Sequence, residues 1–166
     1  MRFSPKKQKK IFSLDAARDL ASEQLPKPIF DYADGGAGKE NTIYKNETDF
    51  DRYELVPRPL NGAGERDLSI NIFGQRLSIP IINGPVGLLG LFWPNGEIEV
   101  AKAAEAKGTG FCLSHGSVCT MEELAAVSNA PRWMQIFVYK DRAITRRFCE
   151  RAHLAGFDAL VLTIDN

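Results

Sequence analysis

Four short, unbroken apolar runs constrain this chain more than anything else in it: residues 79–84, 109–113, 133–139 and 159–164. Each is continuous rather than alternating, which suits strands buried on both faces of a parallel sheet. Helical stretches separate them. Residues 96–107 are alanine-rich. Residues 120–127 open on Thr-Met-Glu-Glu, a capping box in which Thr120 and Glu123 satisfy each other's free amides. Residues 141–155 place Ile144, Phe148, Ala152 and Ala155 on one stripe. A strand therefore begins every 24 to 30 residues, in the order β-α-β-α-β-α-β. That order implies an α/β fold with right-handed crossovers.

The segment before residue 79 has a different texture. Ser13 reads as an N-cap for a helix over 15–25, with Leu14, Ala17, Leu20 and Ala21 on one face. Pro26 and Pro28 punctuate it. A helical turn over 29–33 ends at Gly35 and Gly36, whose backbones accept the angles of a helix stop. A third helix is expected over 40–52 and a Pro/Gly-rich loop over 55–64. Residues 68–73 and 75–78 form a small hairpin around Gly74. The division is a basic disordered tail (1–12), a helical segment with a hairpin (13–78), and a β/α unit (79–166). Periodicity leaves two architectures for that unit: an open doubly wound sheet, or a slice of a (β/α)8 TIM barrel. The sequence closes at Asn166, directly after the fourth run with no covering helix. This favours the first four strands of a barrel.

Charge excludes little but is informative. Twenty-one basic and 21 acidic residues cancel, so no global field selects nucleic acid. Arg2, Lys6, Lys7, Lys9 and Lys10 form a local basic start. It is a solvated tail or, alternatively, a membrane-surface or RNA contact. Cys112, Cys119 and Cys149 show no CxxC spacing and read as reduced packing residues of a cytoplasmic protein. No apolar stretch is long enough to span a membrane. There is no GxGxxG, no P-loop, and no histidine with a neighbour at metal-ligand spacing, so no metal site is expected. His153 falls mid-helix and reads as a surface or packed residue.

In a parallel barrel the chemistry gathers at the C-terminal ends of the strands. That rule selects 83–87, 113–116, 135–137 and 162–165, which supply Ser114, His115, Gln135, Thr163, Asp165 and glycines with accessible amides. Such a set either binds the edge of a flat heteroaromatic ring or merely terminates strands.

Several motifs, in order, resemble one family. They are Leu25-Pro26-Lys27, Phe30-Asp31-Tyr32, Gly35-Gly36-Ala37, Ile79-Pro80-Ile81 with Gly84-Pro85-Val86-Gly87-Leu88, Trp93-Pro94-Asn95-Gly96-Glu97, Leu113-Ser114, Met134-Gln135-Ile136-Phe137-Val138-Tyr139, and Leu162-Thr163-Ile164-Asp165. Together they resemble the FMN-dependent 2-hydroxy-acid oxidases and dehydrogenases, nearest the mandelate dehydrogenase branch, over residues 13–166. The resemblance implies an enzyme that oxidises an L-2-hydroxy acid, lactate- or mandelate-like, to the 2-oxo acid by hydride transfer to FMN. It implies that Tyr32 bonds the substrate carboxylate and that Pro85, Val86 and Gly87 lie against the flavin. Ser114, Gln135 and Thr163 would bond its pyrimidine edge, and Asp165 would orient a histidine base. Gly87, where many oxidases of the family carry alanine, leans toward a dehydrogenase with an acceptor other than oxygen.

Two positions depart from the family. Phe137 stands where a tyrosine usually touches the reacting oxygen of the substrate, and a phenyl ring cannot donate that bond. Val86 replaces what is often a threonine. His115 and Gly116 stand where some relatives carry larger aromatics, which implies a wider substrate pocket beside His115. The family's catalytic histidine, substrate arginines, flavin lysine and phosphate site would all follow residue 166. The chain alone is therefore expected to be inactive and to need a C-terminal half-barrel or second chain as partner, in a complete protein that is a homo-oligomer. Peripheral attachment to the inner membrane is the alternative to a purely cytoplasmic location for that protein. The competing functional reading is a catalytically inactive half-barrel serving as an association or scaffold module. Another FMN barrel, such as an isomerase, would share the fold without explaining Tyr32.

Overall fold

The structure, a computed structural model, describes residues 11–60 and 64–164. Asp165 and most of the basic tail lie outside the described residues. The chain divides between Pro59 and Leu60 into two compact units. The hairpin groups with the second unit and not with the helices.

The first unit holds α1 (Leu14–Gln24), α2 (Lys27–Asp34) and α3 (Asn41–Thr48), followed by a 3-10 turn at Asp49–Arg52. Ser13 caps α1, its hydroxyl accepting from the Ala16 amide at 3.1 Å. Arg18 grips Asp34 with two nitrogens and ties α1 to α2. Gly35 ends α2 with φ −81°, an angle open to any residue. Conformational freedom is thus not what the two glycines supply. A Cβ at Gly36 would lie 2.4 Å from Ile43 Cδ1, and one at Gly35 would lie 2.9 Å from the Asp31 carbonyl oxygen. They are small because α3 and the α2 backbone come close.

The second unit opens with an antiparallel hairpin, β1 (Ile70–Ile72) and β2 (Gln75–Leu77). Its turn residues Phe73 and Gly74 both have positive φ, as a two-residue hairpin turn requires. A four-stranded parallel sheet follows in the order β3 (Ile82–Asn83), β4 (Gly110–Leu113), β5 (Arg132–Ile136), β6 (Ala159–Leu162). The intervening helices are α4 (Leu89–Phe92), α5 (Gly96–Ala106), α6 (Met121–Val127) and α7 (Arg142–Leu154). The α6 capping box forms as read from the sequence, with the Glu123 amide on Thr120 Oγ1 and the Thr120 amide on Glu123 Oε2. Asp141 caps α7.

Side-chain alternation sorts the sheet into two faces. Phe111 and Leu113 of β4 and Met134 and Ile136 of β5 pack on Ala101, Ala104, Met121, Leu124 and Ala152 of the helices. Cys112, Ser114, Trp133 and Gln135 take the other face. Burial on both faces holds for β4, all four residues of which are buried. It fails for β6, where Leu160 and Leu162, on the helix side, are 48% and 52% exposed.

The strands are shorter than the apolar runs, for local reasons. Pro80 has no amide to give the ladder, and Ile81 turns back on the Ile79 carbonyl, so β3 pairs only from Ile82. Beyond β5, side chains capture the backbone. His115 takes the Phe137 amide and Thr145 takes that of Tyr139. The one-turn α4 gave no signal in sequence, since Leu-Gly-Leu-Phe is too short for periodicity.

Candidate functional site

At the C-terminal ends of β4, β5 and β6 the polar side chains join in one hydrogen-bonded line. Ser114 Oγ donates to Gln135 Oε1 at 3.3 Å, the His115 amide donates to the same oxygen at 2.8 Å, and Gln135 Nε2 donates to Thr163 Oγ1 at 2.7 Å. Parallel register makes this possible, since Gln135 is paired with Val161 and lies one strand from Ser114. Ser114 and Gln135 are almost fully buried, at 7% and 3% exposure, and Thr163 is half-buried. Buried polar groups at this depth are tolerated because each is bonded. Gln135 Oε1 is filled by two donors. Its second Nε2 hydrogen and the Thr163 hydroxyl hydrogen are then the donors the line has to offer.

The loop after β3 approaches this line from the side. The Leu88 amide donates to the Gly116 carbonyl at 2.9 Å, and a Cβ at Gly87 would meet that oxygen and Ser114 Oγ at 3.7 Å each. Gly116 in turn donates to Ser114 Oγ. Pro85 and Val86 are exposed and Gly87 is half-buried. Sequence-selected Pro85, Val86, Gly87, Ser114, Gln135 and Thr163 are thus brought to one end of one sheet. Asn83 pairs with Phe111, three residues before Ser114, and its side-chain amide donates to the Gly110 carbonyl at 3.3 Å, locking β3 to β4.

His115, expected beside the substrate pocket, makes contacts of its own within the protein. Its Nδ1 accepts the Phe137 amide at 3.4 Å, which leaves the hydrogen on Nε2, 2.8 Å from the Tyr139 hydroxyl. The ring stacks on Phe148 of α7 at 4.2 Å and lies 5.5 Å from Phe137. Both nitrogens are therefore engaged within the protein, and burial holds the imidazole below its usual range. Tyr139 and Phe148, not selected from sequence, complete this cluster. Cys112 lies on the same face as Ser114, where burial pushes its thiol up to about 11, so it is a protonated packing group and not a nucleophile. Tyr32 belongs to the first unit, on α2, and is 69% exposed. Asp165 lies outside the described residues.

A ring edge that alternates carbonyl, N–H and carbonyl is the complement of an amide N–H and a hydroxyl beside glycine backbone. The pyrimidine edge of a flavin has that pattern, so the donor set present fits FMN.

The sequence profile of the FMN-dependent dehydrogenases matches residues 21–166. An L-lactate dehydrogenase of Ectopseudomonas mendocina is 45% identical over 148 residues, covering 89% of this chain and 39% of the relative. One of Haemophilus influenzae is 41% identical over 155 residues, covering 93% and 41%. Among solved structures, a soluble mutant of the membrane-associated (S)-mandelate dehydrogenase of Pseudomonas putida superposes with a TM-score of 0.88 at 35% identity, covering 94% of this chain and 44% of that one. A structure described as a monotopic membrane protein, (S)-mandelate dehydrogenase, gives 0.87 at 33% identity, covering 95% and 42%. The chain spans about two-fifths of the length of the curated relatives it matches. With a matched profile over residues 21–166, this chain belongs to the FMN-dependent dehydrogenases.

Proposed function

We propose that this chain supplies the flavin-edge portion of a (β/α)8 barrel that oxidises a 2-hydroxy acid to the 2-oxo acid. The observation that carries the reading is the buried Ser114–Gln135–Thr163 line, with Gly87 and Gly116 beside it. Ser114, Gln135, Thr163 and the backbone of 85–87 hold the ring. When bound, FMN supplies the acceptor for the hydride that leaves the substrate carbon. The chain's own residues orient and desolvate. Gln135 cannot rotate, because three partners hold its amide, so its remaining N–H keeps one direction. Tyr32 bonds the substrate carboxylate, and Asp165 steadies the base provided by the remainder of the barrel. Phe137 contributes shape and dryness without a hydrogen bond, and His115 sets the position of Phe137 through its backbone amide.

The remaining strands come from further sequence or a second chain. Two apolar faces support this. Leu160 and Leu162 of β6 stand half exposed. Beside β3, Ile79, Ile81, Phe92, Trp93 and Val100 line a cavity of about 570 Å³. Sheet edges with such faces invite pairing. Among the described residues no helix is long and apolar enough to cross a membrane. Attachment to a membrane surface, as in the monotopic relative, is part of the proposal for the complete protein.

Joining this chain in frame to the C-terminal portion of the H. influenzae L-lactate dehydrogenase tests the reading. The expected result is a flavoprotein whose FMN bleaches anaerobically on adding L-lactate or (S)-mandelate, while the unjoined chain gives no bleaching. A folded, FMN-loaded fusion that neither acid reduces contradicts the proposal.

A further inference from the structure

Glu97 is the most deeply buried charged side chain among the described residues, 1% exposed in the first turn of α5. Its Oε1 accepts the Val118 amide at 3.1 Å, and its Oε2 is buried without a hydrogen-bond partner among the described residues. A carboxylate is costly to bury, and one left half-satisfied is more so. The first-turn amides of α5 offset part of that cost. The packing around it has no slack. A Cβ at Gly90 would fall 2.3 Å from Val118 Cγ2 and 3.9 Å from Glu97 Oε2, and one at Gly96 would fall 2.8 Å from the Leu89 carbonyl oxygen.

Val118 ends the loop that begins at Ser114. That loop is fastened at two places to the segment between β3 and α5. At the front, the Leu88 amide bonds the Gly116 carbonyl. At the back, Glu97 bonds Val118. Ser117, between the fastenings, ties the loop to its flanks: its amide bonds the Ser114 carbonyl and its Oγ accepts the Cys119 amide. Released at Val118, the loop would pivot on Gly116, a residue with no side chain to resist.

We propose that Glu97 is a positioning residue for the flavin edge: by accepting the Val118 amide it fixes the 114–118 loop against the 84–88 loop, and so fixes Ser114 relative to Gly87. The proposal rests on the FMN reading of the site. The role is that of a hydrogen-bond acceptor, which an amide oxygen also fills, and not that of a charge.

The test compares Glu97→Ala and Glu97→Gln in the full chain with two readouts. The first is alkylation of Cys119 by N-ethylmaleimide, resolved from Cys149 by peptide mass. Cys119 is half-buried and burial holds its thiol up, so labelling of the parent chain is slow. In Glu97→Ala, Cys119 labelling should rise on the order of tenfold, with Cys149 on α7 unchanged. In Glu97→Gln both rates should stay near those of the parent chain. The second readout is flavin affinity by fluorescence titration, which should fall on the order of tenfold in Glu97→Ala and be retained in Glu97→Gln. Unchanged Cys119 labelling in Glu97→Ala, equal acceleration at Cys149, or equal losses in the two variants would overturn the proposal. If the parent chain holds no flavin at all, the FMN reading fails, and the labelling comparison decides the role of Glu97 by itself.

Discussion

The two ends of the parallel sheet are both polar, yet they are built for opposite purposes. At the N-terminal ends of the strands, Arg132 donates to the carbonyls of Gly156, Ser128 and Ala125, and Asp158 accepts both the Arg132 amide and the Gln75 side chain. Phe73 of the hairpin turn packs edge-on against Trp133 at 5.3 Å. The side chains of Arg132, Asp158 and Gln75 all close on partners within the protein, and charge is used freely. At the C-terminal ends the Ser114–Gln135–Thr163 line is neutral, and its last donors are left over for something else. In barrels the first end reads as stability and the second as chemistry. The same strands serve both because alternation and register carry each function to its own end.

Substitutions can break that contrast. Arg132→Ala should have the largest effect on stability, about 2–4 kcal/mol, because it strips charge-assisted bonds from three carbonyls. Urea unfolding should show it, while flavin affinity per folded molecule stays put; a folded variant with weakened flavin binding would mean that the two ends are coupled. Gln135→Leu should do the reverse. Its stability cost is about 1–2 kcal/mol from the partners it leaves unbonded, and flavin binding should largely disappear. In the fusion protein, Phe137→Tyr should raise the rate of flavin reduction, on the order of tenfold, by restoring one hydrogen bond; an unchanged rate in stopped-flow would show that another group already makes it.

Acid sharpens the contrast further. Burial keeps His115 neutral in the folded protein, since Nδ1 must accept the Phe137 amide. The unfolded chain then binds a proton that the folded chain resists. Stability from this group is complete above the ordinary histidine range and declines as pH falls through that range toward the lower folded value. The decline should vanish in His115→Gln when unfolding midpoints are compared between pH 7.5 and 5. The smallest effect is expected at the exposed Glu122–Arg151 pair that joins α6 to α7. Glu122→Gln should shift stability by no more than a few tenths of a kcal/mol, measured at low salt.

Most of the scaffold was readable because each element announces itself within a few residues. Thr120 and Glu123, Ser13, Asp141 and the Phe73-Gly74 turn are local signals, and each did what local chemistry dictates. The apolar run of 133–139 outlasts β5 because the side chains of His115, 22 residues back, and Thr145, six residues on, take the amides that would have continued the ladder. Strand-end position and resemblance pick out Ser114, Gln135 and Thr163, and their hydrogen-bonded line follows from parallel register. Two features were not legible. One is the set of partners around His115, which come from β5, its following loop and α7, a coincidence of three segments. The other is Glu97: nothing in a Gly-Glu pair says that its side chain will be buried under a loop 21 residues away.

In the function proposed above, the C-terminal ends of β4, β5 and β6 recognise the edge of a flavin ring, and the rest of the barrel holds the phosphate. Titrating the purified chain and Gln135→Leu with riboflavin and with FMN, by flavin fluorescence, tests it most directly. The chain should bind both weakly and with the same affinity, and Gln135→Leu should bind neither. FMN bound far more tightly than riboflavin, or undiminished binding by Gln135→Leu, would contradict it.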